Sequence, residues 1–123
     1  MSKITKVIAR QVFDSRGNPT IEAEVFSNNT SATSICPSGA STGTYEAYEK
    51  RDTKNKKYLG KSVFNPINII NKKISKKLKN QNIHNQEYID SLLINLDGTK
   101  QKSNIGANAI LSVSMAVKKL SAR

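Results

Sequence analysis

The sequence predicts an α+β domain, a three-stranded antiparallel meander followed by three to four helices. Three observations carry that expectation. The first third alternates apolar and polar residues with the period of a half-buried strand. Clusters of turn formers separate the alternating stretches. Beyond Pro37 the apolar residues recur three and four apart, the spacing of one helix face.

Residues 3–13 are rich in Ile, Val and Phe and read as the first strand. Asp14-Ser15-Arg16-Gly17-Asn18-Pro19 is a turn. In residues 20–26, Ile21, Ala23 and Val25 share one face, and Thr20, Glu22 and Glu24 the other. Asn28-Asn29 suits a tight hairpin, because Asn tolerates positive φ. The third strand then runs from about Thr30 to Cys36 and stops at Pro37, which has no N–H for the ladder. A short turn or helix is expected around Thr44–Arg51. Asn65-Pro66 reads as a helix start with Pro at the first helical position. Val63, Ile67, Ile70, Ile74 and Leu78 form one stripe, and Lys72, Lys73, Lys76, Lys77 and Lys79 lie opposite, with Ile69 among them. A helix over Gln86–Leu96 has Asn85 as its cap, turns Ile89, Leu92, Leu93 and Leu96 inward, and closes at Asp97-Gly98-Thr99. The last helix begins near Ala107 and carries Ile110, Val113, Val117 and Leu120. It has no stop signal before Arg123, where a longer protein is expected to continue.

A chain of 123 residues fits one domain that can bury a core without staples. No apolar run is long enough to span a bilayer, and the charged first residues do not read as a signal peptide. The single cysteine, Cys36, excludes an internal disulfide and reads as a small core residue. A lone Cys without an export signal points to the cytoplasm. The net charge of +11 is concentrated: residues 50–79 hold eleven Lys or Arg and only one acid, Asp52. Such a stretch permits a basic nucleic-acid-binding module as an alternative function. The plainer reading is a solvated lysine face, since the lysines oppose the apolar stripe and thirteen asparagines accompany them in the chain.

Candidate chemistry centres on Pro37-Ser38-Gly39-Ala40-Ser41-Thr42-Gly43-Thr44. Hydroxyl and carbonyl oxygens are hard donors that suit Mg²⁺, and two glycines let backbone approach a ligand closely. The bland alternative is an idle surface loop. Gly60-Lys61-Ser62 imitates the end of a phosphate-binding loop, but the glycine required five residues earlier is Asn55. One His and one Cys cannot build a His/Cys metal site. His84, set among Asn and Gln, reads as structural or exposed.

Asp14-Ser15-Arg16-Gly17-Asn18-Pro19-Thr20, Pro37-Ser38-Gly39-Ala40-Ser41-Thr42-Gly43, Leu96-Asp97-Gly98-Thr99 and Gly106-Ala107-Asn108-Ala109-Ile110-Leu111 together resemble the enolase N-terminal domain. Arg51-Asp52, Leu59-Gly60-Lys61 and Lys102-Ser103 fall into the same register. The resemblance spans residues 1–123. It implies a meander with helices that packs on a C-terminal (β/α) barrel, which is absent from this chain. It implies a mobile active-site loop, Ser38, Gly39, Ala40, Ser41, Thr42 and Gly43, in which Ser41 ligates a second Mg²⁺ through hydroxyl and carbonyl oxygens. The resemblance implies a homodimer or larger assembly of the full-length enzyme, and Arg10 and Glu22 match positions that contact the partner subunit across the dimer. The implied reaction interconverts 2-phosphoglycerate and phosphoenolpyruvate. The implied base, acid and remaining metal ligands belong to the barrel, so no catalytic residue is expected in these residues and the chain alone is expected to be inactive.

Overall fold

The computed structural model describes residues 2–36, 50–53, 62–100, 102 and 104–123. Strand β1 spans Lys6–Phe13, β2 Pro19–Ser27 and β3 Thr30–Ile35. They form an antiparallel sheet in the order β1-β2-β3, so the expected meander is present. Its register pairs Val7 with Val25 and Val25 with Ala32, which sets those side chains on one face. Val7, Ala9, Ile21, Ala23, Val25, Ala32 and Cys36 are buried there against the helices. Cys36 is thus a core residue, as expected.

The first strand is shorter than the predicted 3–13. Ile4 pairs instead with the loop before the third helix: its N–H donates to Gln81 O at 2.8 Å, and its carbonyl accepts from Asn80 N at 2.8 Å. Lys3 forms an isolated bridge with Asn82.

Helix α1 covers Phe64–Ile69, a π-helical turn follows at Ile70–Ile74, and α2 covers Ser75–Leu78. Together they make one rod. It starts two residues before the predicted Pro66. The Asp52 carboxylate, twelve residues upstream, accepts from Phe64 N and Asn65 N, each at 2.9 Å, and so supplies the cap. The π-turn was not predicted, and the stripe explains it. Val63 to Leu78 spans fifteen residues in four steps, so a regular α-helix would rotate the stripe by about 60° over that length. One wider turn takes up much of that drift, and Val63, Ile70, Ile74 and Leu78 are all fully buried. The five lysines opposite are exposed, and Ile69 is half-buried.

Helix α3, Gln86–Asp97, is capped by Asn85, whose side chain accepts from Tyr88 N. It ends at Gly98 with φ +74°, the left-handed position that glycine takes without steric cost. Ile89 and Leu93 are buried, while Leu92 and Leu96 are half-buried at the edge of the core. Helix α4, Ala107–Ser121, lies against β2 and β3 and buries Ala109, Val113, Ala116, Val117 and Leu120. Ile110 only flanks the core. Most of the short turn or helix expected around Thr44–Arg51 falls outside the described residues; Lys50 and Arg51 are irregular.

Two side chains cover the sheet's outer edges. Asn71 Oδ1 accepts from Ala9 N at 2.8 Å and Asn71 Nδ2 donates to Ala9 O at 3.3 Å, so one amide stands beside β1 as a further strand would. On the other side Arg123 Nη1 donates to Ser31 O at 2.6 Å.

Candidate functional site

Ser38, Gly39, Ala40, Ser41, Thr42 and Gly43 lie outside the described residues. The nearest described residues on either side, Cys36 and Lys50–Arg51, are tied to the start of β2. At one end Cys36 N donates to Ile21 O at 2.9 Å, and Thr20 Oγ1 donates to Cys36 O at 2.8 Å. At the other end Arg51 Nη1 donates to Pro19 O at 2.7 Å. Thr20 is buried, so its hydroxyl needs the partner it has in Cys36 O.

The turn into β2 is built by Asp14. Its Oδ1 accepts from Arg16 N and Asn18 N, each at 2.9 Å. Asp14 N donates to Asn18 O at 2.9 Å, and Gly17 N to Asp14 O at 2.9 Å. Gly17 sits at φ +79°, where a side chain would be strained. This is why a run of turn formers there delivers Pro19 and Thr20 in one conformation.

Asp97 organises the loop that precedes α4. It is 2% exposed. Its Oδ1 accepts from Thr99 N at 3.0 Å and from the Thr99 hydroxyl, and its Oδ2 accepts from Ile105 N at 2.7 Å. Burial pushes this carboxyl up, but the Thr99 hydroxyl and the amides of Ile105, Thr99 and Gly106 outweigh it and hold the acid below its ordinary range. The loop ends at Gly106, φ +100°. A Cβ there would meet Lys50 Cβ at 2.5 Å and Asn108 Oδ1 at 2.6 Å. Asn108 Oδ1 accepts from Lys50 N at 3.0 Å, and Asn108 Nδ2 donates to Lys50 O at 2.8 Å. The motif runs at 14–20, 96–99 and 106–111 therefore bear, through backbone and polar side chains, on Cys36, Lys50 and Arg51.

Arg10 and Glu22 face each other across β1 and β2 on the sheet face away from the helices. Arg10 Nη1 lies 2.5 Å from Glu22 Oε1, and its Nη2 lies 2.6 Å from Glu24 Oε1. Glu24, which the motif reading did not single out, also accepts from Ser31 Oγ at 2.9 Å. Hydrogen bonds from Arg10 and Ser31 hold the Glu24 carboxyl below its usual range. Ile35, paired with Glu22, adds an exposed apolar side chain to the same face.

Other expected groups have simple fates. Ser62, from the false phosphate-loop motif, is buried and donates its hydroxyl to Gln11 Oε1 at 3.0 Å. His84 is exposed, with Nδ1 2.9 Å from Ser121 Oγ. An open groove of about 420 Å³ lies between Thr5–Ile8 of the β1 side and Asn71, Ser75, Lys76 and Lys79, at the end of β1 remote from Cys36 and Lys50. Among the described residues no group of three or more His, Cys, Asp or Glu side chains could hold a metal ion.

The family model described as "Enolase, N-terminal domain" matches residues 4–123. Curated relatives named Enolase include proteins from Pelagibacter ubique, 73% identical over the whole chain, Methanococcus maripaludis, 53% identical over 97% of it, and Ehrlichia canis, 53% identical over 99% of it. The chain spans less than a third of the length of these relatives, from 28% to 30%. The alternative of a basic nucleic-acid-binding module gains no support from any of these matches.

Proposed function

Because the chain belongs to the enolase family through its N-terminal domain, we propose that it is the N-terminal lid and dimerisation domain of an enolase. The whole enzyme is the glycolytic lyase that interconverts 2-phosphoglycerate and phosphoenolpyruvate plus water, working in the cytoplasm. The supporting observation is the pair of anchors. The described residues that flank 37–49 are held by hydrogen bonds, at Cys36 and at Lys50–Arg51, while Pro37–Thr44 is rich in small and hydroxyl-bearing residues.

Mg²⁺ is the implied ion. The donor chemistry of Ser41, one hydroxyl and one carbonyl oxygen, fits a hard cation that takes oxygen ligands. When bound, the ion supplies positive charge beside the carboxylate of the substrate. This chain's own part is to bring Ser41 to that place, to exclude water around it, and to fix the direction of approach through Thr20, Asn108 and Arg51. Gly39 and Gly43 give the segment the backbone freedom to do so. The proton-abstracting groups belong to the barrel. Arg10 and Glu22 are the proposed dimer contacts, and their pairing with each other and with Glu24 presents a preformed charged patch to a second subunit.

A Ser41→Ala substitution in the full-length enzyme tests this reading. Turnover is expected to fall about 10–100-fold and to need more Mg²⁺, with little change in melting temperature. Unchanged turnover at limiting Mg²⁺ refutes the assignment of Ser41. The 123-residue chain alone is expected to give no turnover of 2-phosphoglycerate, and measurable turnover refutes the division of labour with the barrel.

A further inference from the structure

The groove beside β1 has two straight walls. One is the extended chain of Thr5–Ile8, about 10 Å long at ~3.3 Å per residue. The other is the rod, which contributes Asn71, Ser75 and Lys79, four residues apart and so on one side of it, with Lys76 adjacent. Eight residues of helix rise about 12 Å, so the walls run side by side over nearly the same length. Asn71 lies in the π-turn, and its amide bonds to Ala9 at 2.8 and 3.3 Å, which bounds the groove at one end. Toward the other end Ile4 is bonded through both backbone groups to Asn80 and Gln81.

The charge of the groove is one-sided. No Asp or Glu lines it. Lys6 Nζ is drawn over the Phe26 ring, 5.9 Å from its centroid, and Glu24, whose carboxylate feels the Lys6 charge, is bonded to Arg10 and Ser31. Lys76 and Lys79 are exposed, and no carboxylate among the described residues pairs with them. Two ammonium groups beside an open volume of about 420 Å³ attract an anionic ligand. The rest of the lining selects among anions. A straight trough of this length matches about three or four residues of extended peptide. Val7 and Ile8 add apolar surface that suits an aliphatic side chain. No aromatic side chain lines the groove, so nucleic-acid bases have no ring to stack on.

We propose that this groove docks an acidic, extended segment of a partner protein, with Lys76 and Lys79 holding its carboxylates. The test uses the full-length enzyme and three labelled probes in about 0.15 M salt, where exposed charges more than ~8 Å apart are largely screened. The probes are the hexapeptide Asp-Glu-Ile-Asp-Glu-Asp, its uncharged counterpart Asn-Gln-Ile-Asn-Gln-Asn, and hexauridylate, and binding is read by fluorescence anisotropy. The acidic peptide is expected to bind saturably and at least about tenfold more tightly than either other probe. Lys76→Glu with Lys79→Glu should weaken it at least about tenfold, because like charges then face each other. Lys72→Glu with Lys73→Glu changes the net charge equally outside the groove and should weaken it less than about threefold. Unchanged turnover of the groove variant verifies its fold; if turnover is lost, Lys76→Gln with Lys79→Gln replaces it, against Lys72→Gln with Lys73→Gln. Equal losses in the two pairs overturn the proposal and leave only the general field of the lysines. No saturable binding of the acidic peptide to the parent overturns it as well. Tighter binding of hexauridylate, lost with the groove pair, overturns the peptide and makes the groove a nucleic-acid contact.

Discussion

Asp97 is a buried acid whose carboxylate is held in its ionised form by hydrogen bonds from Thr99, Ile105 and Gly106. Its pKa is lower folded than unfolded, so its contribution is complete above about pH 5 and is lost as pH falls through the lowered value. Asp97→Asn replaces an acceptor with an N–H₂ that faces donors. It is expected to cost about 2–4 kcal/mol at pH 7, since each bond to a charged acceptor contributes ~1.5–3 kcal/mol. It should also flatten the acid side of the stability profile. Urea unfolding of parent and variant at a series of pH values checks both. Parallel profiles, offset by a constant, would show that the carboxylate charge is irrelevant. At Gly106 the conformation and the space agree in demanding glycine. Gly106→Ala is expected to cost roughly 2–4 kcal/mol from strain and overpacking, again read from unfolding curves.

At the scale of elements, the strands were legible because one face of the sheet is buried and the other is not, which imposes a period of two on Ile21, Ala23 and Val25. Helices α3 and α4 were legible for the same reason with a longer period. The rod from Phe64 to Leu78 was only half legible. Its five-residue apolar stripe was seen, but its mean step of 3.75 residues exceeds the 3.6 of an α-helix, and that excess was the available signal for the π-turn. The anchors of the candidate site were illegible as such. Asn108 meets Lys50 and Arg51 meets Pro19 across 58 and 32 residues, and no local pattern encodes a contact of that range. What the sequence did carry was the segment's composition and the motif runs around it. The π-turn makes its own prediction. It keeps Ile74 in the core and leaves Ile69 at the margin, so Ile74→Ala should cost about 2–5 kcal/mol and Ile69→Ala less than half as much. Equal costs, measured by chemical denaturation, would mean that the stripe does not turn inward as described.

For the whole molecule, the charge of +11 acts as a field rather than a site. Lys72, Lys73 and Lys77 are exposed on the rod, Lys76 and Lys79 line the groove beside β1, and no carboxylate among the described residues pairs with any of the five. Random RNA is therefore expected to bind at low salt and to be released by about 0.2 M salt, because such contacts are driven by counterion release. A filter-binding titration decides it. Retention at sub-micromolar concentration in that salt would revive a nucleic-acid role for residues 50–79.

The amide of Asn71 beside Ala9 and the guanidinium of Arg123 beside Ser31 have a further effect. Each occupies backbone groups that would otherwise template another molecule's extended chain. A three-stranded sheet with bare margins invites runaway polymerisation in a crowded cell. Here side chains withdraw the invitation. Stripping either margin should therefore shorten the lag before fibrils form, even under conditions where the native state remains the dominant species.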